Sequence, residues 1–205
     1  MTLLCTGYEP FGDHETNPSE RVARELDGAT VAGHEAVGAV LPVEFDNVAD
    51  ELAALIDEHD PDAVIATGLA GGRSTVSVER VAVNVDDAVT VPDNADNSPY
   101  NERIEPAGAD AHFATIPVVE SVEALLEAGI PARVSNSAGT HCCNHALYSL
   151  LENHDVPSGF VHLPFTPKGA VSEAEAPERG GSVPASLPLS LQVDGVRRVL
   201  ATTVA

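Results

Sequence analysis

Three residues of this sequence have the types and local settings that thiol-based amide hydrolysis requires, and the first is Cys143. It stands in SNSAGTHCCNHALY, where a short predicted strand passes through a polar loop into a helix. Unpaired N–H groups and the dipole at a helix start favour a thiolate and can receive a developing oxyanion. The pattern therefore predicts a nucleophile with a lowered pKa. The alternative is a small apolar residue that merely begins a helix.

The second residue is His162, which lies in GFVHLPF near the end of an apolar predicted strand. Neighbouring parallel strands present their carboxyl ends to one crevice, so we expect His162 and Cys143 to meet there. Near neutral pH a histidine can take the proton of a thiol and return it to a leaving amine. The alternative is a hydrogen-bonded histidine of the core.

The third residue is Glu79, in TVSVERVAVN, where valines on both sides along the chain predict burial. A buried carboxylate needs a partner. It could orient an imidazole and stabilise its charged form, which is the third role in a Cys/His/acid triad. The alternative is an ion pair with Arg80 or Arg73.

Metal and phosphate sites are not expected. His141, Cys142, Cys143 and His145 invite a zinc interpretation, but adjacent cysteines do not match common chelate spacings and no second cluster completes a site. The segment GLAGGR, beginning at Gly68, lacks the lysine and the glycine spacing of phosphate-binding loops. We therefore predict neither a metal nor another cofactor.

The elements that must position these residues alternate along the chain. Asn17-Pro18-Ser19-Glu20 combines a capping residue, a proline at the first helical position and a glutamate at the third, which is typical of a helix start. Strands are predicted at 2–6, 37–43, 63–67, 132–135 and 159–163, an extended stretch at 74–85, and helices at 17–26, 46–59, 118–128, 142–153 and 188–202. This order predicts an α/β/α sandwich with a mostly parallel, twisted central sheet.

Length and composition bound the rest of the organisation. A chain of 205 residues, 43% of them hydrophobic, can bury one substantial core, so we expect a single domain over 1–205. No apolar run reaches the roughly 18 residues of a membrane span, and the start lacks a signal-peptide pattern, so we expect a cytoplasmic protein with no membrane partner. With three cysteines, a disulfide framework is not expected.

The charge balance is strongly acidic, with 32 Asp and Glu residues against 10 Lys and Arg residues and a net charge of -22. This balance argues against a nucleic-acid partner. Such a charge repels itself in dilute buffer, but near 1 M salt the Debye length falls to about 3 Å and the repulsion is largely screened. The composition therefore favours a halophilic protein of a salt-rich cytosol; the alternative is an ordinary acidic protein.

Four segments, in this order, resemble the pyroglutamyl-peptidase I family of cysteine peptidases: TGYEPFG, GLAGGRSTVSVERVAVN, SNSAGTHCCNHALY and GFVHLPF. The resemblance runs from about Thr6 to Pro164. The family's nucleophile is the cysteine followed by asparagine, which corresponds to Cys143, and Glu79 and His162 take the other two triad positions. The resemblance implies hydrolysis of the amide bond after an N-terminal pyroglutamyl residue, through an acyl-enzyme, in a homodimer or homotetramer.

The resemblance also implies an apolar slot for the neutral lactam ring of the pyroglutamyl group. Tyr8 and Phe11 match the family's aromatic pair, Leu69 lies in the glycine-bearing segment, and His141 and Cys142 match another wall. Stacking and a few backbone hydrogen bonds suit a compact, uncharged ring. A free amine or a glutamate would leave a charge without a partner there, which explains the expected selectivity.

Two departures from the family pattern qualify this expectation. Family members commonly read VDDARIPDN where this chain has VDDAVTVPDN, one residue longer and without the arginine thought to help hold the oxyanion. That task would then fall more on the Cys143 N–H, at a cost in rate. His141 and Cys142 replace residues that are usually larger and apolar or aromatic.

Other functions remain open on the sequence. One rival is a cysteine amidase on the same fold that acts on a different small amide. Another is a catalytically silent domain that binds a small ligand. A nucleoside- or phosphate-binding protein would share the sheet but would need phosphate contacts that this sequence lacks.

Overall fold

A computed structural model describes all residues, 1–205. The strands are β1 (Thr2–Tyr8), β2 (Thr30–Val31), β3 (His34–Leu41), β4 (Ala63–Leu69), β5 (Val76–Glu79), β6 (Val81–Val83), β7 (Ala111–Phe113), β8 (Ala132–Ser135) and β9 (Ser158–Leu163). The α-helices are α1 (Pro18–Leu26), α2 (Phe45–His59), α3 (Val118–Glu127), α4 (Cys142–Asn153), α5 (Pro167–Ser172) and α6 (Leu189–Thr203), and a 3-10 turn spans Pro177–Arg179.

Seven strands form the central sheet in the order β2-β3-β1-β4-β9-β5-β8, and β6 and β7 form a separate pair. Strands β3, β1, β4 and β9 run parallel to one another. Strand β5 is antiparallel to β9 but parallel to β8, so the last two strands run against the main direction. At the opposite edge, the short strand β2 is antiparallel to β3. The predicted mostly parallel sheet is confirmed, with antiparallel strands at both edges.

Helices cover both faces of the sheet, as the alternating pattern predicts. One core cluster of 21 buried residues joins the sheet to α1, α3 and α6, and a second cluster of 18 joins it to α2 and α4. Because alternate residues of a strand point to opposite faces, each central strand contributes side chains to both clusters. The fold is therefore the predicted α/β/α sandwich.

Local signals account for helix α1 but only in part for α2. The Asn17 side chain accepts a hydrogen bond from the Ser19 N–H at 3.0 Å, and Pro18 is the first helical residue, as predicted. The predicted helix at 46–59 begins at Asp46, an acidic residue of the kind that caps helices. Instead, the Phe45 N–H donates to the carboxylate of Asp93 at 2.9 Å, so the cap comes from a loop 48 residues further along the chain.

Two predicted stretches differ from the structure. The extended stretch 74–85 is divided at Arg80: β5 joins the main sheet, whereas β6 pairs with β7. The segment between the strand at 159–163 and the last helix, where the sequence predicts no element, contains helix α5, which Thr166 caps through a hydrogen bond from the Gly169 N–H. No helix of the chain has both the length and the apolar content that crossing a lipid bilayer requires.

Candidate active site

The sheet aligns the candidate residues on one face. Gly68 on β4 pairs with His162 on β9, and Ser77 on β5 pairs with His162 from the other side. Paired residues and alternate residues of a strand share a face, so Gly68, His162, Ser77 and Glu79 lie on the same side of the sheet. Phe160, two residues before His162, packs in the cluster that contains α4, so α4 covers this face.

Cys143, the second residue of α4, lies directly over Gly68. A Cβ atom built on Gly68 would be 2.7 Å from the Cys143 sulfur, so the sulfur fills the place of a side chain at that position. Because Gly68 is paired with His162, the thiol lies beside the imidazole's strand. No hydrogen bond joins the two groups, and contacts between a nucleophile and its base often tighten only in the complex with substrate.

The path of the chain from β8 to Cys143 differs from the path that the sequence predicts. The Cys143 thiol was expected near the carboxyl end of its own preceding strand. Strand β8 runs against β4 and β9, and the loop 136–141 carries the chain to the carboxyl end of β4 instead. Helix α4 therefore presents Cys143 to the end of β4, three strands from β8, and His162 lies on the adjacent strand β9.

His162 and Glu79 form a buried hydrogen-bonded pair. The Nδ1 atom of His162 lies 2.8 Å from Oε1 of Glu79, and the two residues are 4% and 0% exposed. The same Oε1 accepts a short hydrogen bond from Nη1 of Arg73, whose Nη2 donates to the Ser137 carbonyl at 3.0 Å. The imidazole and the arginine were alternatives as partners of Glu79, and the structure contains both.

The protonation states of this pair follow from its surroundings. Burial opposes ionisation of Glu79, but the hydrogen bond and the charge of His162, with a smaller effect of Arg73, lower the pKa of Glu79 below its ordinary value. Burial lowers the pKa of His162, against the opposing effect of Glu79. An ionised Glu79 can only accept, so Nδ1 of His162 carries the hydrogen and Nε2 is free to take a proton.

The surroundings of Cys143 oppose ionisation of its thiol, contrary to the expectation from its helix-start position. Burial, together with the negative charge of Glu79, raises the pKa of Cys143 to about 12, and Arg73 opposes this only in part. The helix start was expected to lower this pKa, but desolvation of the thiolate outweighs that effect. The resting pair is thus a thiol and a neutral imidazole.

The start of α4 offers free hydrogen-bond donors next to the thiol. The N–H groups of Cys142 and Cys143 donate to no other residue, whereas the next two, of Asn144 and His145, donate to the His141 carbonyl. The first N–H groups of a helix have no partner within it. They can therefore stabilise a negative oxygen that forms on an atom bonded to the Cys143 sulfur.

A small apolar pocket opens beside the thiol. All five residues that the sequence assigned to a substrate slot line it, together with Cys143. The lining residues are Tyr8, Phe11, Asn17, Val43, Leu69, His141, Cys142 and Cys143. Asn17 and Val43 were not foreseen, because one was interpreted only as a helix cap and the other only as a strand residue.

The polar groups of the pocket walls are uncharged. The Tyr8 hydroxyl donates to the Cys142 carbonyl at 2.9 Å, and burial raises the pKa of Tyr8 well above its ordinary value. His141 Nε2 lies 3.0 Å from the Val91 carbonyl, and burial lowers the pKa of His141. With neutral walls, the pocket suits an uncharged ring better than an ammonium or a carboxylate group.

The residues considered for zinc point to separate partners. His141 bonds the Val91 carbonyl, and His145 Nδ1 lies 2.8 Å from the Asp86 carboxylate. Cys142 lines the apolar pocket and Cys143 lies against Gly68.

Two further residues of the site, Gly68 and Arg73, were not selected from the sequence. Both stand in GLAGGR, which was considered as a phosphate loop and as part of the family resemblance, and Arg73 was weighed only as an ion-pair alternative for Glu79. A glycine that ends an apolar strand, and one of few basic residues close to a predicted buried glutamate, were the available signals. Their importance depends on Cys143 and Ser137, which are more than 60 residues away in the sequence.

A helix-start thiol over the strand next to that of an imidazole, which a buried carboxylate holds, on an α/β/α sandwich, is typical of the class of cysteine-dependent hydrolases. The sequence profile of the family described as pyroglutamyl peptidase matches residues 1–205. The chain belongs to the pyroglutamyl peptidase family.

Individual relatives agree with this membership. A pyrrolidone-carboxylate peptidase of Chromobacterium violaceum is 49% identical over 170 residues, which cover 83% of this chain and 80% of that protein. One from Escherichia fergusonii is 42% identical over 207 residues, covering 99% of this chain and 91% of the relative. The structure of a mutant pyrrolidone carboxyl peptidase from Pyrococcus furiosus matches with a TM-score of 0.93 at 36% identity, covering 100% and 98% of the two chains.

Proposed function

We propose that this chain is a pyroglutamyl peptidase that hydrolyses the amide bond after an N-terminal pyroglutamyl residue of peptides. The observation that supports it best is the uncharged apolar pocket that opens onto Cys143, whose sulfur lies over Gly68 next to the strand of His162. In this proposal Cys143 is the nucleophile, His162 the general base and acid, and Glu79 the residue that orients and stabilises the imidazole.

The first chemical step forms the acyl-enzyme. As the Cys143 sulfur attacks the pyroglutamyl carbonyl, its proton passes to Nε2 of His162, because a neutral thiol must lose that proton during attack. The imidazolium that forms is stabilised by Glu79 at Nδ1. The carbonyl oxygen becomes an oxyanion, which the free N–H groups of Cys142 and Cys143 receive.

The intermediate then collapses and the amide C–N bond breaks. His162 donates the proton from Nε2 to the departing amine, which leaves as the shortened peptide. Water, deprotonated by the neutral His162, attacks the thioester and releases free pyroglutamate. The Cys143 thiol is regenerated, so the cycle needs no cofactor.

The pocket supports selectivity for the lactam ring. Tyr8, Phe11 and Leu69 supply an apolar surface. The Val91 carbonyl holds the His141 ring in place, and burial lowers the pKa of His141, which favours its neutral form. An unmodified N-terminal glutamine or glutamate would bring an ammonium group into walls that offer it no charged partner.

A cysteine amidase with another small substrate is the second candidate, and the loop that lacks the family's arginine favours it. Val89 and Val91 are 54% and 42% exposed at that position, and neither can donate a side-chain hydrogen bond to an oxyanion. Oxyanion stabilisation by N–H groups alone predicts a slower enzyme rather than a different reaction. We therefore keep the pyroglutamyl peptide as the substrate.

The first test is hydrolysis of a pyroglutamyl fluorogenic amide in about 2 to 3 M KCl, where charge repulsion is screened. Activity that a thiol-alkylating reagent removes is the expected result. Cys143→Ala should abolish turnover, and the matched variant Cys142→Ser should keep most of it. No turnover by a folded wild-type protein, or loss only in Cys142→Ser, would overturn the assignment.

We also propose that the chain works as a single domain in a salt-rich cytoplasm, without nucleic-acid or membrane partners. All three cysteines are free thiols, and the net charge is -22. Thermal unfolding followed across a KCl series tests the salt requirement: the melting temperature should rise through the molar range. A melting temperature independent of salt would favour an ordinary acidic protein.

A homodimer or homotetramer completes the proposal. Phe113 and Tyr100 are 72% and 74% exposed, and a second subunit would remove such apolar side chains from water. Light scattering after size exclusion in molar KCl measures the mass directly. A mass of one chain, 21.2 kDa, would contradict the oligomer.

A further inference from the structure

A second cavity, with about 700 Å³ of open space, lies at the β8 edge of the sheet. Two arginines, Arg73 and Arg133, line it together with the polar residue Asn136, and no carboxylate is among its lining residues. In a chain with 32 acidic and 10 basic residues, a cavity lined by two arginines and no acid is a local exception to the overall charge. We call it the Arg133 cavity.

The charge of Arg133 is available to a ligand. Its Nε donates to the Ser77 hydroxyl at 3.2 Å, and its two terminal nitrogens make neither an ion pair nor a hydrogen bond with the protein. The Asn136 side-chain amide also has no hydrogen-bond partner in the protein. Arg73, in contrast, is engaged by Glu79 and by the Ser137 carbonyl. The cavity therefore presents the two terminal nitrogens of the Arg133 guanidinium and the Asn136 amide as donors without a protein partner.

The cavity lies on the side where the leaving peptide must go. The ring pocket involves Tyr8 on β1 and Leu69 on β4, and Cys143 lies over Gly68 on β4. The next strands in the sheet are β9, β5 and β8. Because His162 on β9 protonates the departing amine, the peptide beyond the cleaved bond extends from β9 towards β5 and β8.

The distances agree with a short peptide. Arg133 pairs with Ser77, which pairs with His162, so Arg133 lies two strands beyond the imidazole, about 10 Å away at about 4.8 Å per strand. An extended peptide advances about 3.3 to 3.6 Å per residue. Two or three residues after the pyroglutamyl group therefore reach Arg133.

We propose that the Arg133 cavity binds a carboxylate of the leaving peptide, so that the enzyme favours pyroglutamyl peptides with a negative charge two or three residues after the ring. This inference rests on the proposed function. The carboxylate is either the C-terminus of a short peptide or an acidic side chain. Arg133 supplies a charge-assisted hydrogen bond to it, and Asn136 supplies a second donor.

The experiment compares substrates that differ only in charge. The first pair is pGlu-Ala-Ala with a free C-terminal acid and its C-terminal amide; the second is pGlu-Ala-Glu-amide and pGlu-Ala-Gln-amide. For the wild-type enzyme we expect kcat/KM to be about threefold to tenfold higher for the acid of at least one pair, the size of one exposed charge-assisted contact. Preference within the first pair alone identifies the terminus, and within the second alone the side chain.

Variants assign the effect to Arg133. Arg133→Gln should bring the acid-to-amide ratio to about one, and Arg133→Lys, which keeps the charge, should retain part of it. Arg197→Gln is the matched control, because Arg197 on α6 also lacks an ion pair and makes one weak hydrogen bond, to Thr30. It should leave the ratio as in the wild type. Equal rates within both pairs, or a ratio that survives Arg133→Gln, would overturn the inference.

The failure of the proposed function would look different. In that case the wild-type enzyme would hydrolyse none of the four substrates, whatever their charge. Calorimetric titration of Cys143→Ala with the same acid and amide peptides then tests the Arg133 cavity by itself. Tighter binding of the acids supports it, and equal or absent binding of both members of each pair refutes it.

Discussion

Gly68 lies beneath the thiol of Cys143 so closely that a Cβ atom on Gly68 would approach the sulfur to 2.7 Å. The same Cβ would lie 3.0 Å from the ring of Phe160. Neither neighbour is free to withdraw, since Phe160 is fully buried and Cys143 belongs to helix α4. The space that only a glycine leaves at the end of β4 is therefore what lets the thiol stand beside the strand of His162.

The Gly68→Ala substitution tests this relationship. We expect kcat with a pyroglutamyl fluorogenic amide to fall by about 100-fold, the cost of displacing a reacting group by about 1 Å. Gly72→Ala, in the turn after β4, is the matched control, because a Cβ on Gly72 meets nothing within 4 Å. Wild-type activity in a folded Gly68→Ala protein would show that the thiol acts from another position.

Removal of the Glu79 charge should be costly in rate. Glu79→Gln keeps the shape but no longer stabilises an imidazolium or fixes the Nδ1–H form of His162, so we expect kcat to fall by about 10³- to 10⁴-fold. Glu79→Asp should recover part of the loss. Glu20→Gln serves as the control, because Glu20 is also paired with an arginine, Arg24, but on the surface of α1. Near-normal kcat in Glu79→Gln would remove Glu79 from the mechanism.

The pH dependence of kcat/KM reports on His162. Burial lowers its pKa below the ordinary value of 6.5, and the neutral form is the active base. Activity should therefore persist as the pH falls through 6.5 and be lost only below it, when His162 takes a proton in the free enzyme. A midpoint above pH 7 on the acid limb would mean that the site stabilises the imidazolium instead.

The rate of alkylation reports on Cys143. Only the thiolate reacts, and the pKa of this thiol is raised to about 12 by burial and by Glu79. Inactivation by iodoacetamide should therefore accelerate by about tenfold per pH unit between about pH 7 and 10, without a plateau. Peptide mass mapping separates modification of Cys143 from that of Cys142. A rate that is already constant below about pH 8 would reveal a preformed thiolate–imidazolium pair.

The sequence was sufficient to predict those helices and strands whose ends are set by neighbouring residues. The bounds of β8 and α4 were predicted as found, and the Asn17 cap placed the start of α1. Strand and helix alternation was enough to predict the sandwich. The assignment of Cys143, His162 and Glu79 to catalysis stays a prediction, although the structure places all three on one face of the sheet.

What the sequence did not reveal depends on contacts between distant segments. Nothing in the local sequence specifies that β5 runs antiparallel to β9. The direction and register of β5 depend on which strands it pairs with in the folded sheet. The expected low pKa of Cys143 followed from its helix start, but burial depends on how the whole sheet packs against α4. The sequence offered Arg73 as a partner of Glu79, but its second contact, with the Ser137 carbonyl 64 residues away, depends on the fold.

The neutral state of Cys143 bears on how the enzyme survives oxidative stress. Peroxides attack thiolates, and the sulfenic acid they form is the first step towards irreversible oxidation. Because burial raises the pKa of the Cys143 thiol, little of it is ionised between catalytic cycles, and the sulfur is a poor target for peroxides. It is therefore expected to hold its activity in aerated storage, without added reductant, longer than a thiol peptidase whose resting cysteine is already ionised.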